Sequence, residues 1–384
     1  MKRLSHIQPH ELTEIVKEEA NQLNFDLVRI TSAESFTVDR DVTIDRIKSG
    51  HMDGLQWFTE ARVSRGTNPR ILLPGSKSII SLGVNYFQHR KQDSSKGRPT
   101  GKVAVYAWGR DYHKVIKRQM RTLVANLSER LDSTFESKWY IDDGPMLDRA
   151  IARRSGMGWV GKNTNLLSSE FGSWIFLGQI ITNLELCPDD PIKKTCGNCV
   201  KCIDECPTGA ITGPHIIDNT KCISYLTIEN RGPIPINLRS SIGEWIFGCD
   251  ICQDVCPVNI KSQISNHPEF TSNAKESVDL IELLGMTEEQ FLDRFRGTPI
   301  MRAKFAGMQR NACVALGNIG STTAIPALGT ALNSDYSLVR GHSAWALGKL
   351  GTSAATDLLS RRLNTERDQY VIDEITTALK CSLM

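Results

Sequence analysis

Eight of the eleven cysteines in this chain fall between residues 196 and 256, and their spacing constrains the fold more than any other feature. The first block reads Cys196-x2-Cys199-x2-Cys202-x3-Cys206-Pro207. Three thiolates at intervals of three can wrap one [4Fe–4S] cluster, while a fourth, carried past it on a short turn, reaches a neighbouring cluster. The second block, Cys249-x2-Cys252-x3-Cys256-Pro257, ends in the same way, but Ile246 stands at its first ligand position. Cys222 is the nearby cysteine that can replace it. The spacing therefore assigns Cys196, Cys199, Cys202 and Cys256 to one cluster, and Cys206, Cys222, Cys249 and Cys252 to the other. Structural zinc also uses CxxC pairs, yet it explains neither the x2-x2-x3 run nor both Cys-Pro endings. Two such clusters in one chain mean that it moves electrons singly.

The 384 residues give room for two or three domains with an ample core. A net charge of only +3 does not by itself indicate a nucleic-acid partner. The opening MKRLSHIQPHELTEIVKEEA lacks the apolar core of a secretory signal, and the longest apolar stretch, around Trp174–Ile181, is too short to span a bilayer. With so many cysteines and no such signal, the expectation is metal ligation in a reducing cytosol, not disulfides, and no membrane association. Cys187, Cys313 and Cys381 read as small buried hydrophobes.

Along the chain, residues 10–24 carry Leu12, Ile15, Val16, Ala20 and Leu23 on one helical face. FDLVRI reads as a short strand, and helical segments follow up to a loop at Asn68-Pro69-Arg70. SIISLGVNYF (78–87) reads as a buried strand, HRKQDSSKGRPTGK as a surface loop, and VAVYAW (103–108) as another strand. Residues 113–131 form a basic amphipathic helix. KWYIDD runs into the turn Asp143-Gly144-Pro145, MLDRAIARRSG is a helix stopping at Gly156, and 174–186 is the last strand before the cysteines. This alternation predicts an α/β or α+β domain. The expected organisation is an N-terminal helical segment (1–75), the core of that domain (76–186), a cluster domain (187–262), a polar linker with helices (263–301) and a tail (302–384). In the tail, ALGNIG at 315–320 recurs as ALGKLG at 346–351, a period that reads as HEAT-like helical hairpins.

Gly156-Met-Gly158-Trp-Val-Gly161-Lys162 superficially fits two nucleotide-binding patterns, but both need a strand before and a helix after. Here a charged helix precedes and KNTNLLSSEFGS follows, so the motif reads as a glycine turn offering Lys162 and Asn163 to some large ligand. Asp142 and Asp143, where a strand ends in a turn, are either an ordinary Asp-Gly-Pro turn or the seat of an acid. Basic residues gather at 89–121, including Lys91, Lys96, Lys117 and Arg118, which suits either a solvated face or a polyanion site. Asp111-Tyr112-His113 begins like a cobalt-ligating D-x-H-x-x-G signature, but Ile116 replaces the glycine, so His113 is not expected to bind cobalt.

The blocks YAWGRDYH, YIDDGPMLDR, GMGWVGKNT, FGSWIFLG, KCISYLTIENRG and FGCDICQDVCPVN, with the first cysteine run, together resemble the epoxyqueuosine reductases, iron–sulfur and cobalamin enzymes of tRNA modification. These are distantly related to corrinoid reductive dehalogenases. The resemblance runs from near the N-terminus to about residue 300, and the tail is similar to an extension of some members. It implies a nitroreductase-like α/β (α+β) cobalamin domain, then a ferredoxin-like domain with two [4Fe–4S] clusters. The implied reaction is deoxygenation of epoxyqueuosine to queuosine at the tRNA wobble position, the last step of queuosine formation. Cobalamin, cycling between Co(II) and Co(I), would lie between the domains without a histidine ligand. The family's acid falls on Asp142. Corrinoid contacts are implied for Arg65, Asp142, Lys162, Asn163, Gly248, Cys249 and Asp250, and tRNA contacts for Asn230, Arg231, Lys117 and Arg118. An external one-electron donor of flavodoxin or ferredoxin type and a monomeric state complete the expectation. Two alternatives stand beside it: a dehalogenase-like reductase of small molecules, and an iron–sulfur electron-transfer adaptor. Neither calls for the basic segment together with an acid at Asp142.

Overall fold

A computed structural model gives the fold and describes residues 7–90, 97–271 and 276–381. Its first unit is built on a four-stranded sheet in the order Leu27–Ser32, Ser78–Asn85, Ile175–Thr182, Ser137–Tyr140, antiparallel throughout. Of the two expected classes, the first unit is thus α+β. Every residue of Ser78–Asn85 is buried, as its unbroken apolar run requires. Because side chains alternate across a strand, Ile80, Leu82 and Ile180 share a core with Val16, Ile116 and Met120 of the helices Pro9–Gln22 and Tyr112–Arg130. Ile79 and Ile181 face the other way, against Ala150 and Ile151 of the helix Asp148–Arg154.

Three local expectations are corrected. VAVYAW is strand only at its start: Thr100–Val103 is followed by a 3-10 turn, Val105–Ala107. The ladder stops because the Val105 N–H donates to the Asp250 carboxylate at 2.8 Å instead of to a strand. Asn68-Pro69-Arg70 is not a loop but opens the helical turn Pro69–Leu72, with the Asn68 side chain capping the Arg70 N–H. Residues 263–301 are not a polar linker either. Their helices Leu280–Gly285 and Glu288–Phe295 bury Leu280, Leu283, Phe291 and Phe295 in the main core, and Thr287 closes a capping box. Thr100–Val103 moreover pairs with both Trp245–Phe247 and Ser277–Asp279. One small sheet therefore draws strands from three stretches that the sequence reading separated.

The tail is a stack of helices, Lys304–Ile319, Ile325–Ala331, Ser337–Leu350, Ser353–Leu363 and Gln369–Cys381. The repeated ALGxxG has a direct physical meaning. Gly320 and Gly351, at φ of 75° and 61°, end two of these helices in the left-handed conformation. Gly317 and Gly348 permit close helix crossings, since a Cβ there would lie 2.7 Å from Trp345 and 2.6 Å from Ala378.

Glu366 staples the tail's hairpins. Its nearly inaccessible side chain accepts from Arg340 at 2.8 Å, Arg362 at 2.7 Å and the N–H groups of Arg367 and Asp368 at 3.0 Å. Burial alone would raise its pKa, but Arg340, the two N–H groups and Arg362 outweigh it and hold the carboxyl at about 2 instead of 4.5. A depressed folded-state pKa stabilises above the unfolded value and is lost as pH falls through the folded one. Glu366→Gln should therefore cost about 3 kcal/mol at pH 7. In urea unfolding of the full chain, the gap to wild type should close as pH drops from 4.5 towards about 2. A gap that does not change with pH would refute this assignment.

Candidate active site between the acid turn and the cysteine loops

The cysteines come together in two groups. Cys196, Cys199, Cys202 and Cys256 line one small cavity together with Lys162 and Lys201. In the second group, burial pushes the Cys222, Cys249 and Cys252 thiols upward. Neighbouring thiols add to this, Cys206 acting on Cys222, and Cys222 on both Cys249 and Cys252. Cys222 sits at the N-cap of the helix Ile223–Ile228. Thr227 in that helix accepts from the Gly248 N–H at 3.0 Å, which docks the helix beside Cys249.

The acid turn follows strand Ser137–Tyr140. Asp143 folds back to accept from the Ile141 N–H at 3.0 Å and is paired with Lys117. Burial raises this carboxyl, but Lys117 and the Ile141 N–H prevail and hold it below the usual carboxylate range. Asp142, at a left-handed φ of 54°, is thereby turned outward and is exposed. One of its oxygens accepts from the Tyr112 hydroxyl at 2.7 Å. Tyr112 is fixed by stacking on Phe176 at 4.3 Å. Burial, then the Asp142 charge, raises its pKa far enough to keep the phenol a donor. Behind the turn lies the helix Glu60–Gly66, where Arg62 donates to the Gly144 carbonyl. A Cβ on Gly66 would fall 1.7 Å from the Pro145 carbonyl oxygen, so only glycine fits.

Tyr106 joins the acid turn to the cysteine loops. Its ring centroid lies 6.2 Å from Tyr112 and 6.0 Å from Phe247. Burial, followed by the charges of Asp142, Asp250 and Glu229, keeps its phenol protonated. Its hydroxyl has no hydrogen-bond partner among the described residues. Asp148 is the second unexpected group. Burial and then Asp142 push its carboxyl well up, and its buried Oδ1 has no partner among the described residues. Both residues lie within the blocks that carry the family resemblance, but nothing local distinguishes them from core and surface neighbours.

The other expected contacts divide clearly. Arg65 is exposed on the helix behind the acid turn, its guanidinium without a partner among the described residues. Lys162 donates to the Gly197 carbonyl at 2.7 Å and Asn163 to that of Cys252 at 3.1 Å, so both brace the cysteine loops. They lie in the turn of the small hairpin that pairs Trp159–Val160 with Leu166–Leu167, not at the start of a helix. Gly248 has a φ of 71°, and a Cβ there would meet Ala104 at 2.5 Å. Asp250 is buried and is taken by Arg90 at 2.5 Å and by the Val105 N–H. Burial pushes it up to about 7 although Arg90 opposes this.

Asn230 donates to the Pro233 carbonyl, and Arg231 to the carbonyls of Ile228, Arg302 and Ala303. Lys117 is held by Asp143, while Arg118 is 3.6 Å from Glu269 and mostly exposed. Lys91 and Lys96 of the basic segment lie outside the described residues. The His113 ring nitrogen Nδ1 is bonded to Asp111 at 2.8 Å.

Three family models match the chain: a 4Fe-4S double cluster binding domain at 195–259, "Epoxyqueuosine reductase QueG, DUF1730" at 67–143, and HEAT repeats at 298–380. The epoxyqueuosine reductase of Bacillus cereus is 36% identical over 365 residues, covering 93% of this chain and 94% of its own length. That of Bacillus subtilis is 32% identical, covering 97% and 96%. The chain belongs to the epoxyqueuosine reductase family. It is an oxidoreductase with a double [4Fe–4S] domain. A solved member of the family, in complex with a tRNA-Tyr epoxyqueuosine-modified stem loop, superposes with a TM-score of 0.91 at 32% identity, covering 97% of this chain and 99% of that one. Among the described residues, no helix is long and apolar enough to cross a membrane.

Proposed function

We propose that this chain removes the epoxide oxygen of epoxyqueuosine in tRNA, giving queuosine and water, with Asp142 as the acid. The observation that carries the reading is the acid turn itself. Asp143 and Tyr112 hold an exposed carboxylate in a left-handed turn, and Tyr106 connects it to Gly248 beside Cys249. A bond cleavage that ends in an alkoxide needs a proton at that oxygen, and a positioned carboxyl supplies it. Tyr112 orients the acid by donating to one oxygen and leaving the other to face substrate.

The residues fit a corrinoid. The Tyr106 hydroxyl and the Arg65 guanidinium are polar groups without partners among the described residues, and such groups match the amide-rich rim of that ring. Arg65, Tyr106 and Asp142 would hold it. Lys162, Asn163 and Asp250 would act behind it, by fixing the cysteine loops. Bound cobalamin supplies a metal centre that accepts single electrons and donates them in pairs, which no side chain here can do. Cys196, Cys199, Cys202 and Cys256 would bind the first cluster; Cys206, Cys222, Cys249 and Cys252 would bind the second. Electrons from an external flavodoxin- or ferredoxin-type donor would thus arrive beside Tyr106. We place the protein in the cytosol as a monomer.

For the tRNA, the exposed Lys114, Arg118 and Arg121 lie on the helix that starts beneath the acid. Arg118→Ala with Arg121→Ala should weaken stem-loop binding and reduce the slope of log K against log salt by about one to two. An unchanged slope would remove this face from consideration. The function is tested by supplying cluster-reconstituted protein with cobalamin, a reductant and epoxyqueuosine-containing tRNA, with queuosine read by mass spectrometry. No conversion, with clusters and corrinoid bound, would overturn the proposal.

A further inference from the structure

Arg310 is one of the largest fully buried side chains, and among the described residues none of its hydrogen-bond acceptors is a carboxylate. It lies in Lys304–Ile319, the first helix of the tail. Its guanidinium donates to the carbonyls of Leu226 at 2.6 Å and of Asn230 and Gly232 at 2.8 Å. The remaining donors go to the Asn311 side-chain oxygen, at 3.0 and 2.8 Å. Asn311 in turn donates to the carbonyls of Thr227 and Ile246, both at 2.8 Å. A buried guanidinium with all its donors matched to fixed carbonyls can hold a loop in a single arrangement.

The carbonyls involved are not a random set. Those of Leu226 and Thr227 end the six-residue helix whose N-cap is Cys222, where the last carbonyls have no partner within the helix. Ile246 belongs to the strand Trp245–Phe247, which leads through Gly248 into Cys249. Thr227 ties the two segments directly by accepting from the Gly248 N–H. Thus one pair of adjacent tail residues grips both backbone segments that carry Cys222 and Cys249. Those two cysteines are far apart in sequence, and Cys222 is the ligand displaced from its usual place.

We propose that Arg310 and Asn311 are positioning residues for the second cluster, so that the helical tail sets the separation of Cys222 from Cys249 and thereby the potential of that cluster. This rests on the ligand set proposed above. The test uses the full-length, cluster-reconstituted chain, with redox titration followed by electron paramagnetic resonance. Asn311→Leu and Arg310→Met should shift the midpoint potential and the spectrum of one cluster and leave the other unchanged. Arg310→Lys, which keeps the charge and loses the fork, should shift the same cluster by less and serves where the harsher variants fail to fold. Leu359→Ala, which loosens the tail away from these contacts, should move neither cluster. The cluster that shifts should be the one missing in Cys222→Ala. Unchanged potentials in the Arg310 and Asn311 variants, with one cluster missing in Cys222→Ala, would overturn the positioning role alone. Both clusters intact in Cys222→Ala would overturn the ligand set and the proposal together. An equal shift in Leu359→Ala would reduce the role to general stability of the tail and also overturn it.

Discussion

Asp142→Asn is expected to lower conversion of epoxyqueuosine by about 10²–10⁴-fold, the usual contribution of a positioned general acid. The substitution is nearly isosteric. Its amide oxygen can still accept from Tyr112, and the Asp143–Lys117 pair that shapes the turn is untouched. Corrinoid uptake, cluster content and tRNA affinity should therefore stay near wild type while turnover falls. Tyr112→Phe should show a smaller loss, because the carboxyl remains but loses the hydroxyl that orients it. Conversion by Asp142→Asn within a few-fold of wild type would remove the residue from the chemistry. The proton would then have to come from another group, and the high-pKa carboxyl of Asp148 would be the first to test.

The second large effect is expected from Cys222→Ala. Loss of one of four thiolates should drop reconstituted iron from about eight to about four atoms per chain and remove one of two reduced-state signals. Electron delivery should fail with it, since the second group of thiols is the one reaching Gly248 and Tyr106. The fold should survive, because the helix Ile223–Ile228 is still gripped at its other end by Arg310 and Asn311. Cys187→Ala is the matching control: contrary to the buried position expected of it, this cysteine is exposed, and it lies outside both groups. Full iron content in Cys222→Ala would show that the displaced ligand lies elsewhere.

Much of the fold was legible because it depends on local pattern. The continuous run at 78–87 reads as a buried strand, and the strand Ser78–Asn85 is buried on both faces as such a run demands. The ALGxxG repeat marked helical hairpins, since a helix that turns sharply needs glycine at its left-handed end. The failures had a common cause. VAVYAW alternates like a strand, but its ladder is ended by a carboxylate 145 residues away. The 263–301 segment looks polar in composition, yet Phe270, Leu280, Leu283, Phe291 and Phe295 enter the core. That Asn230 and Arg231, expected at the tRNA, also bond to backbone of the chain itself was equally invisible in local pattern.

By itself, the sequence determined the redox character of this protein. Cysteine spacing is covalent geometry: intervals of three and a closing Cys-Pro admit few ligands other than a cluster, whatever surrounds them. It also pointed, through scattered blocks, to an acid at Asp142. Only the tertiary structure decided how these parts meet. That Tyr106 spans the distance from the acid turn to Gly248, and that a tail helix grips the segments bearing Cys222 and Cys249, are long-range contacts between buried polar groups. A buried donor must find an acceptor somewhere, but no rule of local spacing says where, and so the partner appears only once the chain is folded.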